Sequence, residues 1–378
     1  MLNQDEINRY HRHIQLSEIG IEGQEKLKQS KVLVIGAGGL GCPVLQYLTA
    51  AGVGTLGIVD FDKVDESNLQ RQILYGIDDI GKPKVECAVN RLSQQNPFVK
   101  FISHNIQLTN QNAIDIINNY DIIIDGTDNF PTRYLVNDAC VLLNKPLVYG
   151  SINKFEGQVS VFNYLINETK RSATYRCLFP NPPSAADVPN CSEVGVLGVL
   201  PGIIGTLQAN ETIKIITEIG DVLSGKLLIL NALSMQFYTI AFTRDNTVAN
   251  SITLEQFKKN DYELFCNGSV LKNNENSNDE ITAAELYRLL TENRNIIQLI
   301  DVREIGELPF VDSLKELHIP LNEISKNKHR IDSQKKIIVF CKSGARSKIA
   351  IQKLQAETGI NNLYNLKGGV VEWLKNYK

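Results

Sequence analysis

The chain has 378 residues, 43% hydrophobic and 21% charged, enough for two or three domains with buried cores, which excludes a disordered or collagen-like chain. Its 39 Lys and Arg stand against 42 Asp and Glu, a formal charge of −3, so no basic field exists to hold nucleic acid or an anionic membrane. Its 7 cysteines include no CxxC pair and no disulfide framework, and no apolar run approaches the roughly 18 residues of a membrane span, so a cytoplasmic protein is expected.

In chain order, the first strong pattern is KVLVIG at 31–36, a β-branched run read as a strand, which turns through GAGGLG into the helix-like CPVLQYLTAAG. The apolar runs GTLGIVD, ending on Asp60, and YDIIIDGTD, carrying Asp125 and Asp128, read as further strands, with the helical KPKVECAVNRLSQQN between them. Strands alternating with helices predict an α/β fold built on a Rossmann-like, mostly parallel sheet. KPLVYG, GQVSVFNY and KLLILNA extend that sheet, and PGIIGTLQANETIKIITEIG reads as a helix started by proline and closed by Gly220. The Asn-rich run CNGSVLKNNENSNDE reads as a polar linker. Behind it, IIQLIDVRE, KKIIVFCKSG and ARSKIAIQKLQAETG again alternate strand and helix. The expected division is a domain over 1–265, a linker over 266–280 and a smaller α/β domain over 281–378.

Gly36, Gly38 and Gly41 form GxGxxG between the first strand and its helix, with Asp60 at the end of the next strand. A helix amino terminus offers unpaired N–H groups to a phosphate, glycines let the backbone approach it, and Asp60 can accept from ribose hydroxyls. That pattern fits any nucleotide or dinucleotide, and an NAD-dependent dehydrogenase is the rival. Hydride transfer, however, has no use for the charges that follow. Arg71 and Lys84 can neutralise a triphosphate and its leaving pyrophosphate, and Asn68 can hydrogen-bond it. Asp125 and Asp128 suit Mg²⁺, which takes one or two protein carboxylates plus substrate phosphates. Together these residues favour ATP.

Two cysteines invite a chemical reading. Cys341 follows a buried strand directly, with Gly344 allowing a tight turn and Arg346 just beyond, so successive N–H groups and a helix start would stabilise a thiolate or persulfide anion. A cysteine phosphatase is the rival, but it spaces Cys and Arg one residue farther apart to admit a phosphate. Cys191, in a Pro-rich stretch before a Gly-rich apolar segment, reads as a buried inert thiol or as a nucleophile on a mobile loop.

The segments RYHRHIQLSEIG, GAGGLG, DFDKVDESNLQRQ, GKPKVE, DGTDNFPTRY and YRCLFP resemble, in order and spacing, the MoeB/ThiF family of ubiquitin-activating-like adenylyltransferases over about residues 5–265. The resemblance implies an ATP·Mg²⁺ site that activates the C-terminal Gly-Gly carboxylate of a ubiquitin-like sulfur carrier protein as an acyl-adenylate. By it, Gly39 approaches the phosphates, Asp60 holds the ribose, and Asn68, Arg71 and Lys84 contact phosphate. Asp128 serves magnesium and orients the acyl group, while Arg12 reaches into a neighbouring subunit's site, which makes the protein a homodimer. Many members bind zinc through CYRC and a later CxxC. Here Thr174, Tyr175, Arg176 and Cys177 occupy the first place and the cysteine-free TRDNTVANS the second, so zinc is not expected.

LIDVRE, the HIP at 318–320, CKSGARS and LKGGVVEWL resemble a rhodanese domain over about residues 279–378, which implies that Cys341 carries a persulfide and that Asp301 and Arg303 are either catalytic or a structural buried ion pair, the structural reading being preferred; Trp373 reads most simply as core. PNCSEVGVLG is similar to the segment bearing the loop cysteine of sulfur-transferring members, which implies that Cys191 resolves an acyl persulfide. Joined, the two parts resemble a fused adenylyltransferase-sulfurtransferase. The front domain adenylates the carrier and Cys341, charged by an upstream persulfide donor, supplies the sulfur of a thiocarboxylate. Molybdopterin, thiamine thiazole and thiolated-tRNA pathways all use such carriers. Two other functions stay open: an activating enzyme that holds its carrier as a thioester on Cys191, and a non-catalytic carrier-binding scaffold.

Overall fold

Val32, Leu33, Val34 and Ile35 are all buried in strand β1 (Lys31–Ile35), so both of its faces are covered, as in a parallel sheet flanked by helices. The computed structural model describes residues 1–182, 195–262, 265–266, 280–307, 309–314 and 317–377. They fall into two units that divide after Cys266. The first holds β2 (Thr55–Val59), β3 (Lys100–His104), β4 (Ile122–Asp125), β5 (Leu147–Asn153), β6 (Glu156–Phe162), β7 (Lys226–Asn231) and β8 (Gln236–Ala241), in one sheet of order β3-β2-β1-β4-β5-β6-β7-β8. From β3 to β5 all neighbours are parallel, and β5 to β8 are antiparallel. Val32 and Val34 face a core with Leu45, Leu48, Val85 and Leu92, whereas Leu33 and Ile35 face the opposite core with Tyr134, Val136 and Cys140. This alternation is what the period-two geometry of a strand requires when helices cover both faces.

The helix Gly41–Ala51 follows β1 and ends on Gly52 in the left-handed conformation, φ 81°; the helix Lys84–Gln95 lies in the segment read as helical. The long helix runs Val199–Thr217 and does not start at Pro201. Proline sits within the first turn, where its missing N–H has no intrahelical partner to lose. Its left-handed cap is Glu218, φ 59°, two residues before Gly220. Among the described residues, no helix is long and apolar enough to cross a membrane.

The second unit is a five-stranded, all-parallel sheet of order β11-β10-β12-β13-β9, made of β9 (Glu280–Ile281), β10 (Ile297–Asp301), β11 (Leu317–His318), β12 (Lys336–Phe340) and β13 (Leu363–Leu366). Leu299, Ile338 and Phe340 pack on one side with Trp373, and Ile300, Ile337 and Val339 on the other with Ala350 and Leu354. The linker read at 266–280 lies, for residues 267–279, outside the described residues.

Candidate active site

Strand order reverses between β2-β1 and β4-β5, and the crevice that such a reversal opens at the strand carboxyl ends is where ligands bind in this architecture. Three turns meet there. Gly36, at φ +92°, takes the chain out of β1, and a Cβ on it would meet the Gly126 carbonyl at 2.7 Å. Gly41 lets the following helix press on that turn, since a Cβ there would lie 2.0 Å from the Gly36 oxygen. Asp60 ties the turn to the end of β2. Ala37 N–H donates to its Oδ2 at 2.8 Å and Asp62 N–H to its Oδ1 at 2.8 Å. Burial pushes the Asp60 carboxyl up, opposed by Lys84 and these two N–H groups.

The crevice encloses a cavity of about 320 Å³, lined by Gly36, Gly38, Gly39, Asp60, Arg71, Lys84 and Asp128 among others. Lys84 is held at 2.9 Å by Asp62, with 6% of its side chain exposed. Arg71 donates one guanidinium N–H to the Ser67 carbonyl at 3.1 Å, and its other donors make no hydrogen bond among the described residues. Two cations, a glycine turn and Leu40, the cap residue of the helix Gly41–Ala51, thus line one concavity, the chemistry a polyphosphate needs.

Four expected site residues stand elsewhere. Gly41 packs behind the cavity rather than in its wall. Asn68 accepts from Asp65 N–H at 3.3 Å and closes a 3₁₀ turn, Glu66–Asn68, away from the lining. Arg12 is exposed on the short helix His11–Ile14. Asp125 is 1% exposed and does not line the cavity. Its carboxylate accepts from Thr127 N–H at 2.9 Å and Thr127 Oγ1 at 2.6 Å, with Arg133 Nε at 3.9 Å. Burial pushes this carboxyl up while Arg133 and Thr127 oppose it. Asp125 therefore shapes the Gly126–Thr127 turn that presents Asp128. The exposed Asp128 carboxylate makes no hydrogen bond or ion pair among the described residues, so the site fits Mg²⁺ through one protein carboxylate plus substrate phosphates.

Sequence reasoning missed Asp62, Tyr75 and Arg133. Tyr75 donates its hydroxyl to the Ala37 carbonyl at 2.8 Å, and Arg133 donates to the Thr127 carbonyl at 3.0 Å. Only Asp62, two residues beyond Asp60, carried a local signal. The zinc ligand set is also replaced. The Cys177 thiol has Thr174 Oγ1 at 3.3 Å and the Asp245 carbonyl at 3.7 Å as neighbours, and Arg244 spans the same region, donating to the Ser172 carbonyl, Asn246 and Asn250. One thiol, a hydroxyl and a backbone carbonyl beside a guanidinium do not fit zinc.

In the second unit, Cys341 follows β12 and is fully buried. Gly344, at φ +97°, turns the loop into the helix Ala345–Thr358 and donates its N–H to Cys341 Sγ at 3.1 Å. The turn Lys367–Gly369 is packed against this loop. Val370 N–H donates to the Cys341 carbonyl at 2.9 Å, and a Cβ on Gly369 would meet that oxygen at 2.4 Å. Arg346 makes a bidentate pair with Glu307, at 2.6 and 2.7 Å, so its charge is already balanced. Asp301 and Arg303 pair at 2.6 Å, and Trp373 is 1% exposed in the core. Cys191 lies outside the described residues.

Comparison with known proteins agrees with both halves. The ThiF family model matches residues 10–250 and the rhodanese-like domain model matches residues 282–376. The chain is 42% identical, over 99% of its length and 94% of the relative's, to the probable adenylyltransferase/sulfurtransferase MoeZ of Mycobacterium tuberculosis. It is 48% identical, over 69% of its length and 97% of the relative's, to the sulfur carrier protein adenylyltransferase of Thermus thermophilus. Among solved structures, E. coli MccB with MccA-N7isoASN superposes with a TM-score of 0.56 at 21% identity, covering 65% of this chain and 73% of that one, a likeness of fold.

Proposed function

The chain belongs to the ThiF family and carries a rhodanese-like domain behind the family domain, and from that premise we propose that this adenylyltransferase and sulfurtransferase converts the C-terminal glycine of a ubiquitin-like sulfur carrier to a thiocarboxylate. In this reading residues 1–265 activate the carrier, 266–280 link, and 281–378 supply sulfur. The observation that carries the first step is the cavity behind the glycine turn, lined by Arg71, Lys84 and the exposed Asp128.

The carrier carboxylate oxygen attacks the α-phosphorus of ATP, and pyrophosphate leaves with the bond to its bridging oxygen. A carboxylate is already a nucleophile, so no general base is needed. Positioning and charge stabilisation suffice. Gly38, Gly39 and the helix start receive the phosphates, Asp60 the ribose, and Arg71 the growing charge on pyrophosphate, with Asn68 supporting the turn that carries Arg71. Lys84 changes partner from Asp62 to phosphate. Magnesium, held by Asp128, would neutralise phosphate charge. Arg12 would complete the site of a second copy in a homodimer.

In the second step the terminal sulfur of a Cys341 persulfide attacks the acyl carbon and AMP leaves, giving an acyl disulfide. A thiol, assigned to Cys191, then attacks the Cys341 sulfur and releases the carrier thiocarboxylate. The resulting Cys191–Cys341 disulfide is reset by a cellular dithiol, and an upstream persulfide donor recharges Cys341. The test is Cys341→Ala, which keeps carrier-dependent pyrophosphate release and loses the thiocarboxylate. Loss of both activities in a folded variant would refute this division.

A further inference from the structure

Cys341 Sγ has a second polar neighbour besides the Gly344 N–H. Ser347 Oγ lies 3.5 Å away, from the first turn of the helix Ala345–Thr358, and Ser347 is fully buried. The same hydroxyl lies 2.6 Å from Asn365 Oδ1 on β13, and Asn365 is 3% exposed. The orientation of that amide is set on its other side. Asn365 Nδ2 donates to Glu280 Oε1 at 3.2 Å, and Lys348 pairs with the same oxygen at 2.9 Å. A hydrogen bond from Lys348 holds the Glu280 carboxyl below its usual range, so it only accepts. The amide nitrogen therefore faces Glu280 and its oxygen faces Ser347.

Ser347 thus has one proton and two acceptors. While Cys341 is a thiol, S–H can itself donate to Ser347 Oγ and the serine proton rests on Asn365. An ionised sulfur only accepts, and the serine proton then has reason to turn to it. Arg346 makes its bidentate pair with Glu307. We propose that Ser347 is a further catalytic residue of the sulfur site, a hydroxyl that changes from acceptor to donor as Cys341 becomes the attacking thiolate, with Asn365 as the positioning residue anchored by Glu280. This rests on the reading of Cys341 as the persulfide carrier.

The step it serves balances without an added oxidant. The thiol proton leaves to solvent, and the thiolate attacks the outer sulfur of a thiosulfonate or persulfide donor. One S–S bond forms and the donor's S–S bond breaks, its electron pair leaving on sulfite or on the donor thiolate. Ser347 lowers the barrier by donating to the sulfur that carries the charge before attack.

The experiment is single-turnover sulfur loading of the full chain, with thiosulfate as the probe, followed by intact mass over a range of thiosulfate concentrations. For Ser347→Ala the limiting rate falls about 10-fold or more, the scale of a lost hydrogen bond to a charged group, with the half-saturating concentration unchanged. Ser347→Thr, which keeps the hydroxyl, loads close to the wild-type rate. Ser347→Ala loading as fast as wild type, or Ser347→Thr as slow as Ser347→Ala, would overturn the role of the hydroxyl. Sulfur accumulating on Cys341→Ser would instead overturn the assignment of Cys341 on which the proposal stands.

Discussion

Replacing Gly41 by alanine adds one methyl group where the glycine turn and its helix touch. That carbon would lie 2.0 Å from the Gly36 oxygen and 2.9 Å from its carbonyl carbon, and both are backbone atoms that no side-chain rotation can move. Ordinary carbon–oxygen approaches are about 3.3 Å, so helix and turn must separate by more than 1 Å or so. The helix has little room to give, because Cys42, Val44, Leu45 and Leu48 are fully buried on it. Overpacking of this kind costs about 1–3 kcal/mol, and the propensity gain of alanine over glycine, at most about 1 kcal/mol, does not offset it at a first helical position. The functional loss is larger, since a displacement of about 1 Å in a positioning element costs roughly 100-fold in rate. Gly41→Ala is expected to melt below wild type and to slow carrier-dependent pyrophosphate release by about 100-fold. Gly38→Ala is the control for stability: its Cβ meets only Gln72 Nε2, at 3.6 Å, and it should melt as wild type does. Wild-type pyrophosphate release by Gly41→Ala, or equal melting of the two variants, would refute the reasoning.

Glu307→Gln should destabilise the second unit by about 3 kcal/mol, because the buried Arg346 guanidinium loses the bidentate carboxylate that faces it; differential calorimetry would read it as a lower transition for that unit. Burial works against the Glu307 charge but the Arg346 bonds outweigh it and hold the carboxyl below its usual range. The stability this pair gives is present above the unfolded glutamate pKa of about 4.3 and is lost as pH falls through the lower folded value, so wild type loses stability there and Glu307→Gln loses less. Chelation should leave the melting temperature of the ligand-free protein unchanged, since Thr174, Cys177 and the Asp245 carbonyl do not make a zinc site; a fall on adding EDTA would contradict that.

Much of this organisation is written locally. β1, its glycine turn and the following helix are each coded by adjacent residues, and Asp60 and Asp128 lie close behind strands with clear apolar runs, which is why these positions stood out in the sequence while other lining residues such as Asp62 and Gln72 did not. The edges of the sheets were harder. β3 (KFISH) is only partly buried, β8 is exposed along its whole length, and β9 and β11 span two residues each, so none carries a strong hydrophobic period. Residues that act across the fold left no local trace. Arg133 approaches Asp125 only because a helix packs under β4, and Glu307 meets Arg346 from 39 positions away. Asp125 shows how spacing misleads: two aspartates three apart resemble a metal pair, but the strand ends on the first and buries it, and only the second is carried out to the cavity.

The central claim is that one chain both activates a carrier carboxylate and replaces one of its oxygens by sulfur. Its most direct test is the intact mass of Gly-Gly carrier proteins after incubation with the full chain, ATP, Mg²⁺ and a persulfide donor. A gain of about 16 Da on a carrier, dependent on ATP and abolished by Cys341→Ala, is the predicted result. Pyrophosphate release with no gain in mass on any carrier would contradict it.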